Sequence, residues 1–232
     1  MATGSNIGKE LMDDLTVKTS FTIPIGKGIE IDESIVVMWF IMAAVFIVAF
    51  ILSRNLRVKN PNKKQLFVEF CIEWYYNMFD GMLEGGAKIY APYLMCVCTF
   101  IGIANITGLF GVKPPTKDLN VTIALAVMSI VVVEYAGIHA NGVRRWAKSF
   151  TEPVAIMTPL NVLEIIIRPF SLCMRLFGNV VGAFVIMELI KMAIPEVVPM
   201  VLSLYFDIFD GLLQAYVFVF LTALYLNEAV EG

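Results

Sequence analysis

Three stretches of the chain run apolar almost without interruption. Residues 35–52 and 89–112 contain no charged side chain, and 119–139 contains only Glu134, with the sole histidine, His139, at its end. At ~1.5 Å rise per residue, a helix over any of them crosses most or all of a hydrocarbon core about 30 Å thick. Two longer apolar pieces follow, 158–191 and 199–227, and these do carry ionisable groups. The pattern predicts membrane helices at 35–53, 89–112, 119–139, 158–191 and 199–227, all within one membrane domain over 34–232, with no separate soluble domain. Ahead of it, residues 1–33 are a polar tail without the basic-then-apolar order of a cleaved signal peptide.

Residues 65–82 have a different texture. Phe67, Phe70, Trp74, Tyr75, Tyr76 and Phe79 are interleaved with Glu69, Glu73 and Asp80 at helical spacing. That mixture predicts an amphipathic helix lying at the membrane interface, where tryptophan and tyrosine are favoured. Gly85-Gly86 separates it from the next span. An interfacial connector is the simpler role for it, and docking of a partner the alternative. Pro114-Pro115 marks the turn between the second and third spans, and Pro195 and Pro199 bracket the turn before the last. The expected fold class is an all-α polytopic membrane protein: about five transmembrane helices, one interfacial helix, and a final pair that is long and polar-striped.

Composition agrees, since 59% of residues are hydrophobic and only 16% charged, against ~25% charged in soluble domains. Charge decides the orientation. Loop 54–64 holds Arg54, Arg57, Lys59, Lys63 and Lys64 with no acid, and loop 140–152 holds Arg144, Arg145 and Lys148. Alternating spans put both loops on one side, which the positive-inside bias makes cytoplasmic. The tail counters Lys9, Lys18 and Lys27 with Glu10, Asp13, Asp14, Glu30, Asp32 and Glu33, and falls outside. The C-terminus is then cytoplasmic. The cysteines (Cys71, Cys96, Cys98, Cys173) lie in apolar or amphipathic segments with no Cys/His set to complete a metal site. Neither a metal nor a cofactor is expected, and no basic aromatic patch suggests nucleic acid.

The candidate chemistry lies in the last two spans. Arg175 sits in Ser171-Leu-Cys-Met-Arg-Leu-Phe-Gly-Asn179. Its charge cannot be shed, and holding it at mid-membrane depth costs at least a few kcal/mol. At ~100° per residue, Glu164, Arg168, Ser171, Arg175 and Asn179 fall within about 40° of one line. Phe184 and Glu188 fall near the opposite face, Glu188 about 20 Å further along. In the last span Asp207, Asp210 and Gln214 share a face at spacings of three and four. A short turn makes the two segments antiparallel neighbours, with Gln214 near the depth of Arg175 and both aspartates near that of Glu188. Carboxylates in series within a membrane mark a proton or cation relay. The competing reading is an arginine that pairs with an acid to fix packing. Glu134, a lone acid near a helix end, reads as solvated or paired, and His139 as interfacial. A stand-alone cation channel or antiporter would also carry intramembrane carboxylates, and a structural scaffold would tolerate a neutral residue at 175.

Arg168-Pro-Phe-Ser-Leu-Cys-Met-Arg175-Leu-Phe-Gly-Asn179 resembles the signature of subunit a of F-type ATP synthase. Gln214-Ala-Tyr-Val-Phe-Val-Phe-Leu-Thr-Ala-Leu-Tyr-Leu226 resembles that family's last helix, and weaker similarity runs through Asn105-Ile-Thr-Gly-Leu-Phe and Pro115-Thr-Lys-Asp118-Leu-Asn120-Val-Thr122. The resemblance implies a non-catalytic, stationary partner of a rotating ring of c subunits, held in a bacterial plasma membrane beside peripheral-stalk b subunits. H⁺ or Na⁺ would cross through two offset half-channels. Arg175 would be the essential ring-facing arginine, Asn179 and Gln214 its polar flanks, and Arg168 and Ser171 positions inward of it, beside Glu164. One departure is plain: the family pattern often has an acid nine positions after the arginine, and here that position is Phe184. Asp207 likewise stands where some members carry a histidine. The expectation is an outer half-channel rebuilt from Glu188, Asp207 and Asp210.

Overall fold

A computed structural model describes residues 19–23, 29–54, 63–110, 114–144, 146, 158–193, 202 and 204–231. The expected tail contributes a two-stranded antiparallel hairpin, β1 (Thr19–Ile23) and β2 (Ile29–Asp32), paired from Thr19↔Asp32 to Ile23↔Ile29. Its short alternating runs, Thr-Ser-Phe-Thr-Ile and Ile-Glu-Ile-Asp, suit a strand, a weak signal inside a predominantly polar segment. Among the described residues, the elements that follow it are all helical.

β2 runs directly into α1 (Glu33–Ser53), a helix apolar on all sides with only Ile41 buried. Trp39, Phe40, Phe46, Phe50 and Ile51 are exposed, as suits a surface facing hydrocarbon or another membrane helix. The amphipathic segment forms α2 (Lys63–Asp80), which buries Phe79 and exposes Phe67, Phe70 and Trp74. Past it, Gly85 takes φ 50°, a left-handed conformation open to glycine. A 3-10 segment (Gly85–Tyr90) then leads into α3 (Ala91–Ile106), entered through Pro92 in its first turn. The second span therefore starts where expected but changes to 3-10 geometry at Thr107–Phe110.

α4 (Leu119–Asn141) is capped at both ends by its own sequence. Asp118 Oδ1 accepts from the Asn120 amide at 2.9 Å, and Gly142 at φ 77° closes the last turn by donating to Ile138 O. α5 (Thr158–Ala193) has 36 residues, about 54 Å at the α-helical rise, so it outreaches the hydrocarbon core. Pro169 lies within it and removes one backbone hydrogen bond beside Arg168. The last span opens with a π-helical segment (Tyr205–Asp210) that passes into α6 (Gly211–Glu231).

Five of these helices are long and apolar enough to cross a membrane, which bears out the all-α polytopic class. α6 lies between α3 and α4, while α4 also carries α5. The core runs through Leu94, Ile101, Val133, Leu172, Leu176, Phe218 and Leu226, all at most 1% exposed or wholly covered. α5 and α6 are antiparallel, as expected, but they touch along a thin line because α4 packs against both. A short connection fixes direction and leaves packing area undecided.

Candidate functional site

α5 buries Leu172, Cys173 and Leu176 against the core. Its polar stripe is thereby turned away, and the stripe's residues meet different fates. Arg168 is drawn down onto the neighbouring helix: Nη2 donates to Glu164 Oε1 at 2.8 Å and to Glu228 Oε1 at 2.7 Å. Its guanidinium also lies 4.9 Å from the centre of the Tyr225 ring. The side chain is 13% exposed, while the two glutamates are 52% and 60% exposed. Glu164 and Arg168 thus form a clamp between α5 and α6 at the end nearer the basic loops. Ser171 is half-buried one turn further along.

Arg175 is exposed on α5. Among the described residues no hydrogen bond or ion pair engages it, so its charge faces outward from the bundle. One turn on, Asn179 Nδ2 donates to Gln214 Oε1 at 2.6 Å. Gln214 is 2% exposed, and its Nε2 is buried without a protein partner. A buried amide donor left over is costly, by about 1–3 kcal/mol. The structure therefore brings Arg175, Asn179 and Gln214 to one level, as the antiparallel reading required.

The Asn179–Gln214 and Arg168–Glu228 contacts set the register of α5 against α6. Carried onward, that register puts Glu188 level with the backbone around Asp207, and Asp210 level with Phe184. Glu188 and Asp210 are both half-buried. The Asp207 side chain lies outside the described residues. One assumption needs correction: Asp207 and Asp210 sit in π-helical turns, so the regular 100° step that gave them a common face with Gln214 does not hold upstream of Gly211.

Sequence reasoning passed over the turn facing this end. Thr116 Oγ1 donates to Asn105 Oδ1 at 2.7 Å, and Asn105 Nδ2 donates to Gly211 O at 3.0 Å. The approach is close enough that a Cβ on Gly211 would lie 2.8 Å from the Asn105 Cβ. Asp118 is 2% exposed, with Oδ2 buried and unpartnered. Lys117 reaches across to α5, its Nζ 3.2 Å from the centre of the Phe184 ring. The polar run Thr116-Lys-Asp-Leu-Asn120 between two apolar spans was the available signal, and it read as a turn. Elsewhere Glu134 is paired, as expected, accepting from Trp146 Nε1 at 2.8 Å, and His139 stacks on Tyr135. Among the described residues no three His, Cys, Asp or Glu side chains converge as for a metal.

An exposed arginine beside a part-buried amide pair, on two polar-striped membrane helices, suits an ion-coupling surface. The profile of the ATP synthase A chain family matches residues 35–227. An ATP synthase subunit a from Moorella thermoacetica is 32% identical over 205 residues, covering 88% of this chain and 93% of that relative. The ATP synthase subunit a 2 of Bradyrhizobium sp. (strain BTAi1) is 33% identical, covering 87% and 90%. A sodium ion specific ATP synthase subunit a from Propionigenium modestum is 30% identical, covering 88% and 75%. The chain belongs to the family of F-type ATP synthase a subunits, multi-pass membrane components of the Fo complex.

Proposed function

We propose that this subunit is the stator half of an ion-driven rotary motor, with Arg175 as the fixed charge facing a ring of c subunits. The observation that carries the reading is the outward guanidinium of Arg175, unpaired among the described residues, on a helix whose other arginine is neutralised. Each ring subunit would bring a carboxylate past α5. An opposite charge within a few ångströms favours the ionised form of that carboxylate, so it releases its ion on approach and takes up another on leaving. The same charge repels cations that would leak straight between the half-channels. A membrane potential supplies ~2.3 kcal/mol per charge per 100 mV, and the output is biased rotation. This chain conducts and makes no bond itself.

Asn179 and Gln214 flank the arginine, and the buried Gln214 Nε2 offers a donor to water or to the passing carboxylate. Glu164, Arg168 and Ser171 line the inner side. Glu188, Asp207 and Asp210 form the outer path in place of an acid at 184. The chain would lie in a bacterial plasma membrane beside peripheral-stalk b subunits, with its N-terminus outside and its C-terminus in the cytoplasm. We favour H⁺ as the coupled ion. The sodium ion specificity of one relative keeps Na⁺ as the second candidate, and the ring's own carboxylate site decides between them.

Arg175→Ala tests this directly. Ion-driven ATP synthesis should vanish while the complex still assembles, because an exposed side chain is removed without disturbing the buried Leu172 and Leu176. Synthesis at the normal rate would refute it.

A further inference from the structure

The turn between α3 and α4 places a cation against α5. Its single 3-10 turn, Pro115–Lys117, packs on α1, α3, α4 and α5. Thr116, wholly buried, ties it to Asn105, and Asp118, almost wholly buried, caps α4. Lys117 stands between these two anchors, half-buried, with Nζ 3.2 Å from the centre of the Phe184 ring. The backbone on either side is held by these anchors, which keeps the ammonium within reach of this end of α5. Position 184 thus holds a positive charge on its ring where an acid would have supplied a negative one.

We propose that Lys117 is a cation held at the mouth of the outer half-channel, setting the external ion concentration at which the complex half-saturates. The inference rests on the outer-path reading given above and deepens it. Carboxylates surround this end: Asp118 in the same turn, Glu188 one turn beyond Phe184 on α5, and Asp32 and Glu33 at the start of α1. Asp210 belongs to the same end, linked to the turn through Gly211, Asn105 and Thr116. Neither α3 nor the first half of α4 contributes a charged side chain. Lys191, three residues past Glu188 on α5, and Lys113, four residues before Lys117 in the sequence, add positive charge at this end, yet the acids outnumber them and would still attract a cation strongly. Conduction needs binding firm enough for entry and weak enough for exit. One ammonium held there offsets one carboxylate and lowers the local cation concentration, and in a half-buried setting salt screens it poorly.

The experiment uses the whole complex in liposomes, with ATP synthesis followed at fixed potential. External H⁺ is titrated first, then Na⁺ if Na⁺ stimulates the wild type. The quantity read is the half-saturating ion concentration, which a loss of packing does not move. Lys117→Met should lower it about tenfold, the order expected for one unit charge across roughly 8 Å at an effective dielectric of about 30. Lys117→Glu should lower it further, and Lys117→Arg should keep the wild-type value. An unmoved half-saturating concentration in Lys117→Met, or a fall in maximal rate alone, overturns the proposal. The double variant Glu188→Gln, Asp210→Asn separates the two ideas. Normal synthesis in it defeats the outer-path reading. A slow double variant beside an unmoved Lys117→Met defeats only the role given to Lys117.

Discussion

Arg168 and Arg175 lie two turns apart on the same stripe of α5, and the structure treats them oppositely. Arg168 is folded inward, shared by Glu164 and Glu228 and laid over Tyr225. Arg175 is exposed, with no such engagement among the described residues. A helical wheel ranks the two as equivalents. What separates them is the partner helix: α6 offers Glu228 at the level of Arg168, and at the level above it offers Gln214, which is committed to Asn179. The lesson is that a charge within a membrane span acquires its role from what the facing helix supplies at its depth. One arginine holds two helices together, and the other is left available to a third party.

Substitutions at these positions can break that contrast. Arg175→Lys should lose synthesis more than about tenfold, a change needing only ~1.4 kcal/mol in the critical state. A lysine keeps the charge but lacks the planar fork and can lose its proton when desolvated. Rates near wild type in coupled membranes would show that charge alone suffices. Gly211→Val should destabilise the subunit by about 1–3 kcal/mol through overpacking against Asn105, read as reduced subunit in assembled complexes at raised temperature. Gln214→Leu separates function from stability. It removes one hydrogen bond together with an already orphaned N–H, so stability should change by less than about 1 kcal/mol while synthesis falls several-fold. Intact synthesis would make the amide pair a mere packing device.

Arg168→Gln should cost least. Its two partners are more than half exposed, and such pairs contribute about 0–1 kcal/mol. Assembly should survive, with at most a modest loss of synthesis; a loss as complete as that of Arg175→Ala would erase the distinction between the two arginines. Orientation has its own check. Single cysteines at Lys64 and Arg144, both exposed, should resist an impermeant thiol reagent applied outside, and one at Ser20 should react. The reverse pattern would exchange the two half-channels.

Much of the architecture was legible because it rests on composition over long windows. The five spans follow from apolar length, and α4 even announces its limits through Asp118 and Gly142. The hairpin escaped because strand alternation over four or five residues is a weak signal in a polar segment. Within the site, the i, i+4 step put Arg175 and Asn179 on one face, and the short antiparallel connection brought Gln214 to their depth. Spacing assumed a regular helical step at Asp207 and Asp210, where the backbone is π-helical, because such a run leaves no mark in hydropathy. It overlooked Lys117 and Asp118, because their importance comes from contacts across the fold: a Phe184 ring 67 residues away in sequence, and a buried carboxylate oxygen without a partner. Nor did the wheel tell Arg168 from Arg175. Glu228 lies 60 residues away, and only the assembled bundle brings it alongside.

The most direct test sets the two arginines against each other in one measurement. ATP synthesis driven by an imposed ion gradient and potential is compared in membranes carrying Arg175→Ala and Arg168→Ala, at matched amounts of assembled complex. The expected result is no synthesis above background for Arg175→Ala and substantial synthesis for Arg168→Ala. Equal activity in the two, whether both lost or both kept, would contradict the claim that the outward charge of Arg175 is the coupling element.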